Sequence, residues 1–448
     1  MSLPRVLIYG QSFNNCTGGG ITLSNLFAGW DKDRVAVAAI GHLMHNVTTT
    51  ICTNYYLLGN DEFRWRFPLN LLQKKFKSGI LTIDAHQTQP ERLIGSSLRR
   101  LFVEKVFYPT LHWFGFYHCA QTMKMSDRFK AWVEAFNPDI LYLQFSTRET
   151  ILFASALNEF LKVPSIIHFM DDWPSTINSR GLMKRYWYNK IDKELKTLIN
   201  KTDLHLSISD AMSAEFERRY NKKFTAFHNP IDLSIWRPNS KVDFFIGEKV
   251  KILYAGRIGP GIENAFFEVV KAIESLNKKD YNIKFHIQSA SIDTKLRNKY
   301  HLFKSVVFNP AVDYRELPLV LSNADLLVIA NDFDNAGRAF VRYSMPTKAS
   351  EYMISGTPIL IYGPPDTALA RFCAINECAV CAIRHNKEDL EDAIKSMIAD
   401  EALRRKISQN AVRIAEELFD SGQVKSRFLQ MLLKLTQSSS CINDRRAD

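Results

Sequence analysis

Two runs of alternating strand and helix patterns, separated by one proline-containing linker, are the feature that most constrains the fold of this chain. The first run opens with strand-like segments at residues 5–10 and 35–40, and the second restarts at residues 251–256 after a linker at residues 229–240. This rhythm is typical of parallel sheets covered by helices on both faces. The sequence therefore predicts an α/β protein with two doubly wound, Rossmann-like domains that face each other across a cleft. Such sheets bind ligands beyond the carboxyl ends of their strands.

The length of 448 residues also favours two domains over one. We expect the first domain at residues 1–235 and the second at residues 236–420. From residue 421 we expect a helix that returns toward the first domain, followed by a disordered tail from residue 437. An insertion at about residues 62–125 breaks the strand–helix rhythm of the first domain.

The positive charge of the chain is concentrated in that insertion. The net charge is +11, yet residues 64–130 hold 12 Lys and Arg against 4 Asp and Glu, whereas residues 240–425 hold 25 against 24. A uniformly basic nucleic-acid-binding protein would not show this division, so we expect no nucleic-acid partner.

The insertion interleaves cations with aromatic side chains. An anionic membrane surface would suit this mixture, because cations meet head groups and aromatic rings settle at the interface. The alternative is that the aromatic residues belong to the core and the cations form its solvated face. The residues concerned are Arg64, Arg66, Lys74, Lys75, Lys77, Arg99, Arg100 and Lys105, with Trp65, Phe67, Phe76, Phe102, Phe107, Trp113, Phe114 and Phe116.

The sequence predicts a cytoplasmic protein. The basic, aromatic insertion also allows a peripheral position at the inner face of the membrane. No apolar run approaches the roughly 18 residues of a transmembrane helix, and the first residues do not resemble a signal peptide. Of the seven cysteines, only Cys378 and Cys381 form a CxxC pair, and no further ligands complete a zinc set. We interpret them as buried thiols and expect no metal site.

A proline-initiated helix near residue 346 carries a cation and a carboxylate where an anion would bind. Pro346 suits a helix start, and Thr347, Lys348 and Glu351 follow it. Helix N-termini present unpaired N–H groups and the positive end of the helix dipole. Lys348 is therefore a candidate phosphate ligand and Glu351 a candidate ligand of a ribose diol. The alternative is a surface helix whose charges are merely solvated.

Two other segments carry candidate ligands at strand ends. Gly18, Gly19 and Gly20 form a loop before a helix predicted at residues 21–30, without the GxGxxG spacing of a dinucleotide fingerprint. In the second domain, Arg257 follows a strand, and its guanidinium could bind a diphosphate in a forked geometry.

A histidine and two carboxylates follow the strand near residue 165. His168, Asp171 and Asp172 could orient a substrate and bind acceptor hydroxyls. Adjacent aspartates could also bind a metal, but no further ligands accompany them. A strand-end histidine could instead be structural.

These segments, in this order, resemble the GT-B glycosyltransferases, specifically the retaining, group-4-like branch of the glycosyl transferases group 1. The resemblance covers nearly the whole chain. It rests on the glycines, the His168 segment, the linker 229–232, the segments 255–257 and 323–325, and the stretch 346–358.

The resemblance implies a retaining, metal-independent transfer from a nucleotide-diphosphate sugar. The second domain would bind this donor, and the first would bind a saccharide or lipid-linked acceptor in cell-surface glycan biosynthesis. It further implies that Arg257 and Lys348 bind the diphosphate, Glu351 the ribose and the Gly19 loop the phosphate–sugar junction, with His168 near the reacting centre. No cofactor is implied beyond the donor substrate itself.

Two departures from the family pattern leave the donor sugar open. The lysine that usually follows Arg257 is missing, which leaves Lys348 as the only predicted ammonium on the diphosphate. A glutamate usually stands eight residues before Glu351, but this chain has Tyr343 there. The residues that could replace it are Asn335, Gly337 and Arg338.

Three other functions remain compatible with the sequence. A nucleotide-sugar epimerase of the same fold would turn over its donor without an acceptor, and a glycosyl phosphorylase would need a pyridoxal-linked lysine. A nonenzymatic, membrane-associated scaffold that kept this fold would bind no nucleotide.

Overall fold

The chain forms two compact units of α/β structure. The computed structural model describes residues 3–44, 46–67, 69–71, 76–81, 103–177, 181–289 and 294–447, without the side chains of residues 42, 103–104, 294–295 and 438–447. The first unit comprises Met1–Phe227 and Lys425–Asp448, and the second comprises His228–Val424. The sequence places its domain boundaries at residues 235 and 420.

The first unit is built on an eight-stranded sheet. Its strand order is β10-β9-β8-β7-β1-β2-β3-β5, and every pair is parallel except β3 with β5. A separate antiparallel pair joins β4 to β6. The strands are β1 (Val6–Tyr9), β2 (Val35–Ile40), β3 (Asn54–Leu58), β4 (Phe63–Trp65), β5 (Gly79–Ile80), β6 (Gln121–Met123), β7 (Ile140–Leu143), β8 (Ser165–Phe169), β9 (Leu204–Ser207) and β10 (Thr225–Ala226).

Helices connect these strands in the manner of a doubly wound domain. The α-helices are Gly18–Leu26, Tyr108–Trp113, Tyr117–Ala120, Asp127–Phe136, Arg148–Leu161, Trp173–Thr176, Lys184–Asn200 and Asp210–Tyr220. Short 3₁₀ turns occur at Lys32–Arg34, Gly41–Leu43 and Leu69–Leu71, and a π-helical turn at Val103–Phe107. All four residues of β1 are buried, as expected for a central parallel strand covered on both faces.

The first helix differs from its predicted bounds. It begins at Gly18 rather than at residue 21 and ends at Leu26, so Gly18, Gly19 and Gly20 form its first turn instead of a preceding loop. The physical reason is the cap: the Thr17 side chain accepts a hydrogen bond from the Gly20 N–H at 3.1 Å. A threonine cap offsets the poor helix propensity of three glycines.

The second unit is a six-stranded, fully parallel sheet. Its order is β13-β12-β11-β14-β15-β16, and successive residues of β11 alternate between two core clusters, one on each face of the sheet. The strands are β11 (Val250–Ala255), β12 (Ile283–Gln288), β13 (Val306–Asn309), β14 (Leu326–Ala330), β15 (Ile359–Tyr362) and β16 (Val380–Ala382). The α-helices are Leu233–Trp236, Glu263–Asn277, Thr294–Tyr300, Leu317–Ser322, Asn335–Val341, Thr347–Ile354, Ala368–Ile375, Lys387–Ala399 and Glu401–Phe419, with a 3₁₀ turn at Arg237–Asn239.

The last helix, Ser421–Ala447, runs through residues 437–447, where the sequence predicts a disordered tail. Its buried Phe428 belongs to the first unit and packs there, with ring centroids 5.3 Å from Phe27 and 5.4 Å from Phe227. Among the described residues, no helix combines the length and the apolar character that a membrane crossing requires.

The insertion contains several exposed aromatic side chains. Phe67, Trp113, Phe114 and Phe116 are 81%, 53%, 46% and 57% exposed, so the alternative that the insertion's aromatic residues form core does not hold for these four. Lys74, Lys75, Arg99, Arg100 and Phe102 lie outside the described residues.

Candidate active site

Lys348 lies in the first turn of a helix beside the end of β11. The helix Thr347–Ile354 follows Pro346, whose φ of −65° and ψ of 143° make it the capping residue rather than the first helical residue. Pro346 provides no side-chain cap. The Ala349 N–H is bonded to the Pro346 carbonyl at 2.9 Å, and no capping side chain occupies the N–H groups that precede it, as in an anion site. The Lys348 ammonium donates to the Tyr254 hydroxyl at 2.7 Å.

Tyr254 and Gly256 fix the position of that ammonium. The Tyr254 hydroxyl donates to the Arg257 carbonyl at 2.6 Å, so its oxygen is left to accept from Lys348. Gly256 has a φ of +137°, and a Cβ there would lie 2.6 Å from the Lys348 Nζ. The exposed Arg257 guanidinium makes no ion pair within the described part of the chain. The Lys348 ammonium and the Arg257 backbone thus contact the same tyrosine hydroxyl at the carboxyl end of β11.

Glu351 is a buried carboxyl group on the same helix. It is 8% exposed, and burial raises its pKa to about 7, against the opposing effect of the Lys348 charge. Its neighbour Tyr352 anchors the helix to β11, because its hydroxyl accepts from the Ala255 N–H at 2.6 Å. A carboxyl group with this pKa changes protonation state near neutral pH. Both of its oxygens can accept hydrogen bonds from a diol only in the ionised form, because protonation turns one of them into a donor.

The other predicted donor ligands of the second unit have structural partners. Arg338 pairs with Asp366 at 2.7 Å, and Asp366 also pairs with Arg342. Gly337 is required by packing, since a Cβ there would lie 2.5 Å from the Asp332 Cβ.

The remaining residues of this group lie next to Arg338 on the chain. Asn335 is exposed at the start of the helix Asn335–Val341, and Tyr343 lies under Arg342, with 5.3 Å from guanidinium carbon to ring centroid. Within the described residues, no hydrogen bond or ion pair joins Asn335, Gly337 or Arg338 to Lys348 or Glu351.

In the first unit, the glycine helix lies beside the segment that follows β8. A Cβ at Gly19 would lie 3.1 Å from the Gln11 Oε1 and 3.7 Å from the Met170 Cγ. Asn14 supports the turn from below, because its Oδ1 accepts from the N–H groups of Cys16 at 3.0 Å and Thr17 at 2.9 Å. The structure therefore brings the predicted glycines and the His168–Asp171 segment together at the carboxyl edge of the sheet.

His168 is a neutral imidazole held inside β8. It is 2% exposed, and burial lowers its pKa to about 3, with a smaller opposing effect from the Ser207 backbone. Its Nδ1 is hydrogen-bonded to the Tyr142 hydroxyl, and its Nε2 has no hydrogen-bond partner among the described residues. A neutral imidazole of this kind can orient a hydroxyl but cannot supply a proton as an imidazolium near pH 7.

The two adjacent aspartates have different surroundings. Asp172 is 2% exposed, and both of its carboxylate oxygens accept from Arg219 at 2.7 Å. Asp171 is partly exposed and accepts from the Trp173 N–H at 3.2 Å; its pKa is raised by burial and by the Asp172 charge. Asp171 is thus the carboxylate better placed to meet a ligand, whereas Asp172 is engaged by Arg219.

Sequence reasoning missed Tyr254, Tyr142 and Arg219. Each tyrosine is the penultimate residue of a strand that is otherwise aliphatic apart from Lys251 in β11. A tyrosine hydroxyl near the carboxyl end of a parallel strand could have marked both as site residues. Arg219 lies 47 residues from Asp172, and nothing in the sequence marked that pairing.

Within the described residues, no three His, Cys, Asp or Glu side chains are grouped as metal ligands would be. Cys378 is buried and Cys381 is partly buried, and both are free thiols.

Comparison with known proteins identifies the second unit more specifically. Residues 237–413 match the family described as Glycosyl transferases group 1. A search of curated protein sequences finds no significant match.

Solved structures similar to this chain cover nearly all of it at low identity. HepE from Anabaena, in complex with UDP and glucose, has 12% identity and a TM-score of 0.60, with 96% of this chain and 99% of that chain covered. Sucrose-phosphate synthase from Thermosynechococcus elongatus has 14% identity and a TM-score of 0.61, with 97% and 99% covered. WaaG, a glycosyltransferase involved in lipopolysaccharide biosynthesis, has 11% identity and a TM-score of 0.54, with 95% and 99% covered.

These findings confirm the fold and the resemblance to glycosyl transferases group 1 inferred from the sequence: the chain has the GT-B fold of two Rossmann-like domains, and its residues 237–413 match that family, whereas the retaining branch stays a prediction.

Proposed function

We propose that this protein transfers a sugar from a nucleotide-diphosphate sugar to a hydroxyl of a saccharide or lipid-linked acceptor, with retention of anomeric configuration. The observation that carries the proposal is the grouping of Lys348, Tyr254, Arg257 and Glu351 at one strand end, inside the segment that matches the glycosyltransferase family. HepE, which shares the fold, was crystallised with UDP and with UDP-glucose, which supports a nucleotide-sugar donor.

The donor diphosphate is assigned to the cations of the second unit. Lys348 and Arg257 would bind its oxygens together with the first-turn N–H groups of the helix Thr347–Ile354. Charge that develops on the departing diphosphate is then stabilised by fixed dipoles and cations. This arrangement makes a metal ion unnecessary in the proposed mechanism. Glu351, once ionised, would accept hydrogen bonds from the two ribose hydroxyls.

The first unit would orient the groups that react. His168, as a neutral group, would hydrogen-bond a sugar hydroxyl, and Asp171 would accept from an acceptor hydroxyl. Retention follows if the acceptor attacks the face that the leaving phosphate occupies. The phosphate itself then removes the proton from the attacking hydroxyl, so no side chain has to act as a dedicated base.

The setting proposed for this reaction is the cytoplasm, at the inner face of a membrane that holds a lipid-linked acceptor of cell-surface glycan synthesis. The six described cysteines are all free thiols, which supports a reducing compartment.

Nucleotide binding and donor turnover test the proposal. Thermal shift with a panel of nucleoside diphosphates should reveal one that raises the melting temperature, because it binds only the folded state. Lys348→Ala should abolish this shift. Lys406→Ala, which removes a surface lysine paired with Glu377 at 2.8 Å, is the matched control and should retain it.

The rival functions predict other results. If the protein converts a nucleotide sugar to its epimer when no acceptor is present, the epimerase is supported and the transferase is refuted. A complete absence of nucleotide binding in calorimetry would favour a nonenzymatic scaffold, and equal binding by Lys348→Ala would refute the site.

A further inference from the structure

Two segments distant in the sequence form one surface of the first unit. Residues 105–118 belong to the insertion, whereas residues 181–191 lie at the start of the helix Lys184–Asn200. The Leu182 N–H donates to the Trp113 carbonyl at 2.8 Å. Gly115 fits tightly against the second segment, since a Cβ there would lie 2.8 Å from the Met183 Cβ. Their side chains therefore share one fixed surface.

This surface exposes large apolar side chains. We call it the aromatic patch and define it as Trp113, Phe114, Phe116, Leu182, Met183 and Tyr186, which are 39–69% exposed. The Phe114 and Phe116 rings stack with centroids 6.3 Å apart. Such exposure within two directly packed segments exceeds the scattered single residues usual on a soluble surface and marks an interaction site.

The segments that carry the aromatic patch contain basic residues and no acidic ones. Residues 105–118 and 181–191 contain Lys105, Lys184, Arg185 and Lys190 and no Asp or Glu. The strand Phe63–Trp65 adjoins them through the Trp65 and Tyr108 rings, whose centroids are 5.9 Å apart, and residues 63–67 add Arg64 and Arg66, again without an acidic residue. Within the described residues, neither Lys105 nor Arg185 makes an ion pair.

We propose that the aromatic patch docks on an anionic lipid bilayer. The three segments contribute six cations and no acidic residue, which complements a negative lipid surface, and aromatic rings are stable at the boundary between head groups and acyl chains. A second copy of the chain that docked through the same patch would bring the same positive charge to the contact and be repelled by it. This inference deepens the membrane setting proposed above by naming its surface, and it requires nothing of the donor site.

Vesicle sedimentation tests this surface. The full chain should sediment with vesicles of phosphatidylcholine and phosphatidylglycerol, remain in the supernatant with phosphatidylcholine alone, and lose binding as salt rises. Trp113→Ala/Phe116→Ala and, separately, Lys105→Glu/Arg185→Glu should each weaken binding to the anionic vesicles at least tenfold. Both variants should keep the melting temperature and the nucleotide affinity of the parent protein.

Matched controls lie in the second unit. Phe245→Ala removes an aromatic side chain that is 71% exposed, and Lys249→Glu/Lys278→Glu makes the same charge change on exposed lysines. Both should sediment as the parent protein does. Binding that is equal in all variants, or a parent protein that stays in the supernatant with anionic vesicles, overturns the proposal. So does a dimer in light scattering that Trp113→Ala/Phe116→Ala dissociates.

Nucleotide binding separates this inference from the proposed function. A parent protein that binds no nucleotide but sediments with anionic vesicles would refute the proposed transferase and support the membrane surface. A parent protein that binds nucleotide but does not sediment with anionic vesicles would refute the membrane surface and support the donor site.

Discussion

The Lys348 ammonium donates a hydrogen bond to the Tyr254 hydroxyl at 2.7 Å, and this contact sets the geometry of the proposed phosphate site. Tyr254 has one hydroxyl proton, which it donates to the Arg257 carbonyl, so its oxygen is free to accept. The ammonium also lies 4.0 Å from the centroid of the same ring. One strand residue thus holds a lysine from a helix 94 positions later and the backbone of the arginine that follows the strand.

Tyr254→Phe isolates the contribution of that hydroxyl. The ring and its contact with the ammonium remain, but the hydrogen bond that orients Lys348 is lost. A hydrogen bond to a charged group contributes about 1.5–3 kcal/mol, so we expect nucleoside diphosphate affinity to fall by about tenfold or more in calorimetry. Tyr362→Phe, which removes a hydroxyl bound to Glu268 instead, is the control and should bind as the parent does. Equal affinities in both variants would contradict this role for Tyr254.

Gly256→Ala should affect binding and stability together. The φ of +137° is a conformation that residues with a Cβ rarely adopt, and the new methyl group would lie 2.6 Å from the Lys348 Nζ. Backbone strain of this type costs about 1–3 kcal/mol. We expect a lower midpoint in urea unfolding and weaker nucleotide binding, because the flexible lysine must move away.

Gly259→Ala is the control for Gly256→Ala, since a Cβ at Gly259 meets no atom within 4 Å. It should change neither quantity by much. A Gly256→Ala variant that binds nucleotide as tightly as Gly259→Ala would show that the position of the lysine is not critical.

The sequence was a good guide to strands, and a poorer one to side-chain partners. Aliphatic runs such as that of β15 predict buried parallel strands, and Pro346 predicted the start of the helix Thr347–Ile354. What could not be foreseen were contacts between distant positions. Arg338 looks available in the sequence, yet Asp366, 28 residues later, engages it. The close packing of Gly337 against Asp332 is a second contact that the sequence does not reveal.

Glu351 should make both stability and binding depend on pH. Burial raises its pKa from about 4.5 to about 7, so between these values the folded chain holds a proton that the unfolded chain has lost. Its contribution to the free energy of unfolding therefore decreases as the pH rises from 4.5 to 7 and is constant above that range. Nucleotide affinity should change in the opposite direction, because only the ionised carboxylate accepts from both ribose hydroxyls.

Glu351→Gln separates these effects from those of other titrating groups. The amide introduced by this substitution cannot ionise, so the difference in melting temperature between variant and parent should shift in favour of the variant from about pH 5 to about pH 8. Nucleotide affinity of the parent should increase over the same range more steeply than that of the variant. Parallel pH profiles for the two proteins would exclude this carboxyl group as the source.

The adjacent aspartates should separate stability from activity. Removing the carboxylate in Asp172→Ala takes away the bidentate partner of Arg219, and breaking a buried pair typically costs about 3–5 kcal/mol. We expect a melting temperature lower by roughly 6–20 °C, since each kcal/mol shifts a domain of this size by about 2–4 °C.

Asp171→Asn keeps the acceptor for the Trp173 N–H but loses the charge, so it should melt as the parent does while transfer to the acceptor slows. Asp392→Asn, in an exposed pair with Lys395, controls for charge loss alone and should leave both quantities unchanged. An Asp172→Ala variant with parental stability and reduced transfer would move the catalytic assignment from Asp171 to Asp172.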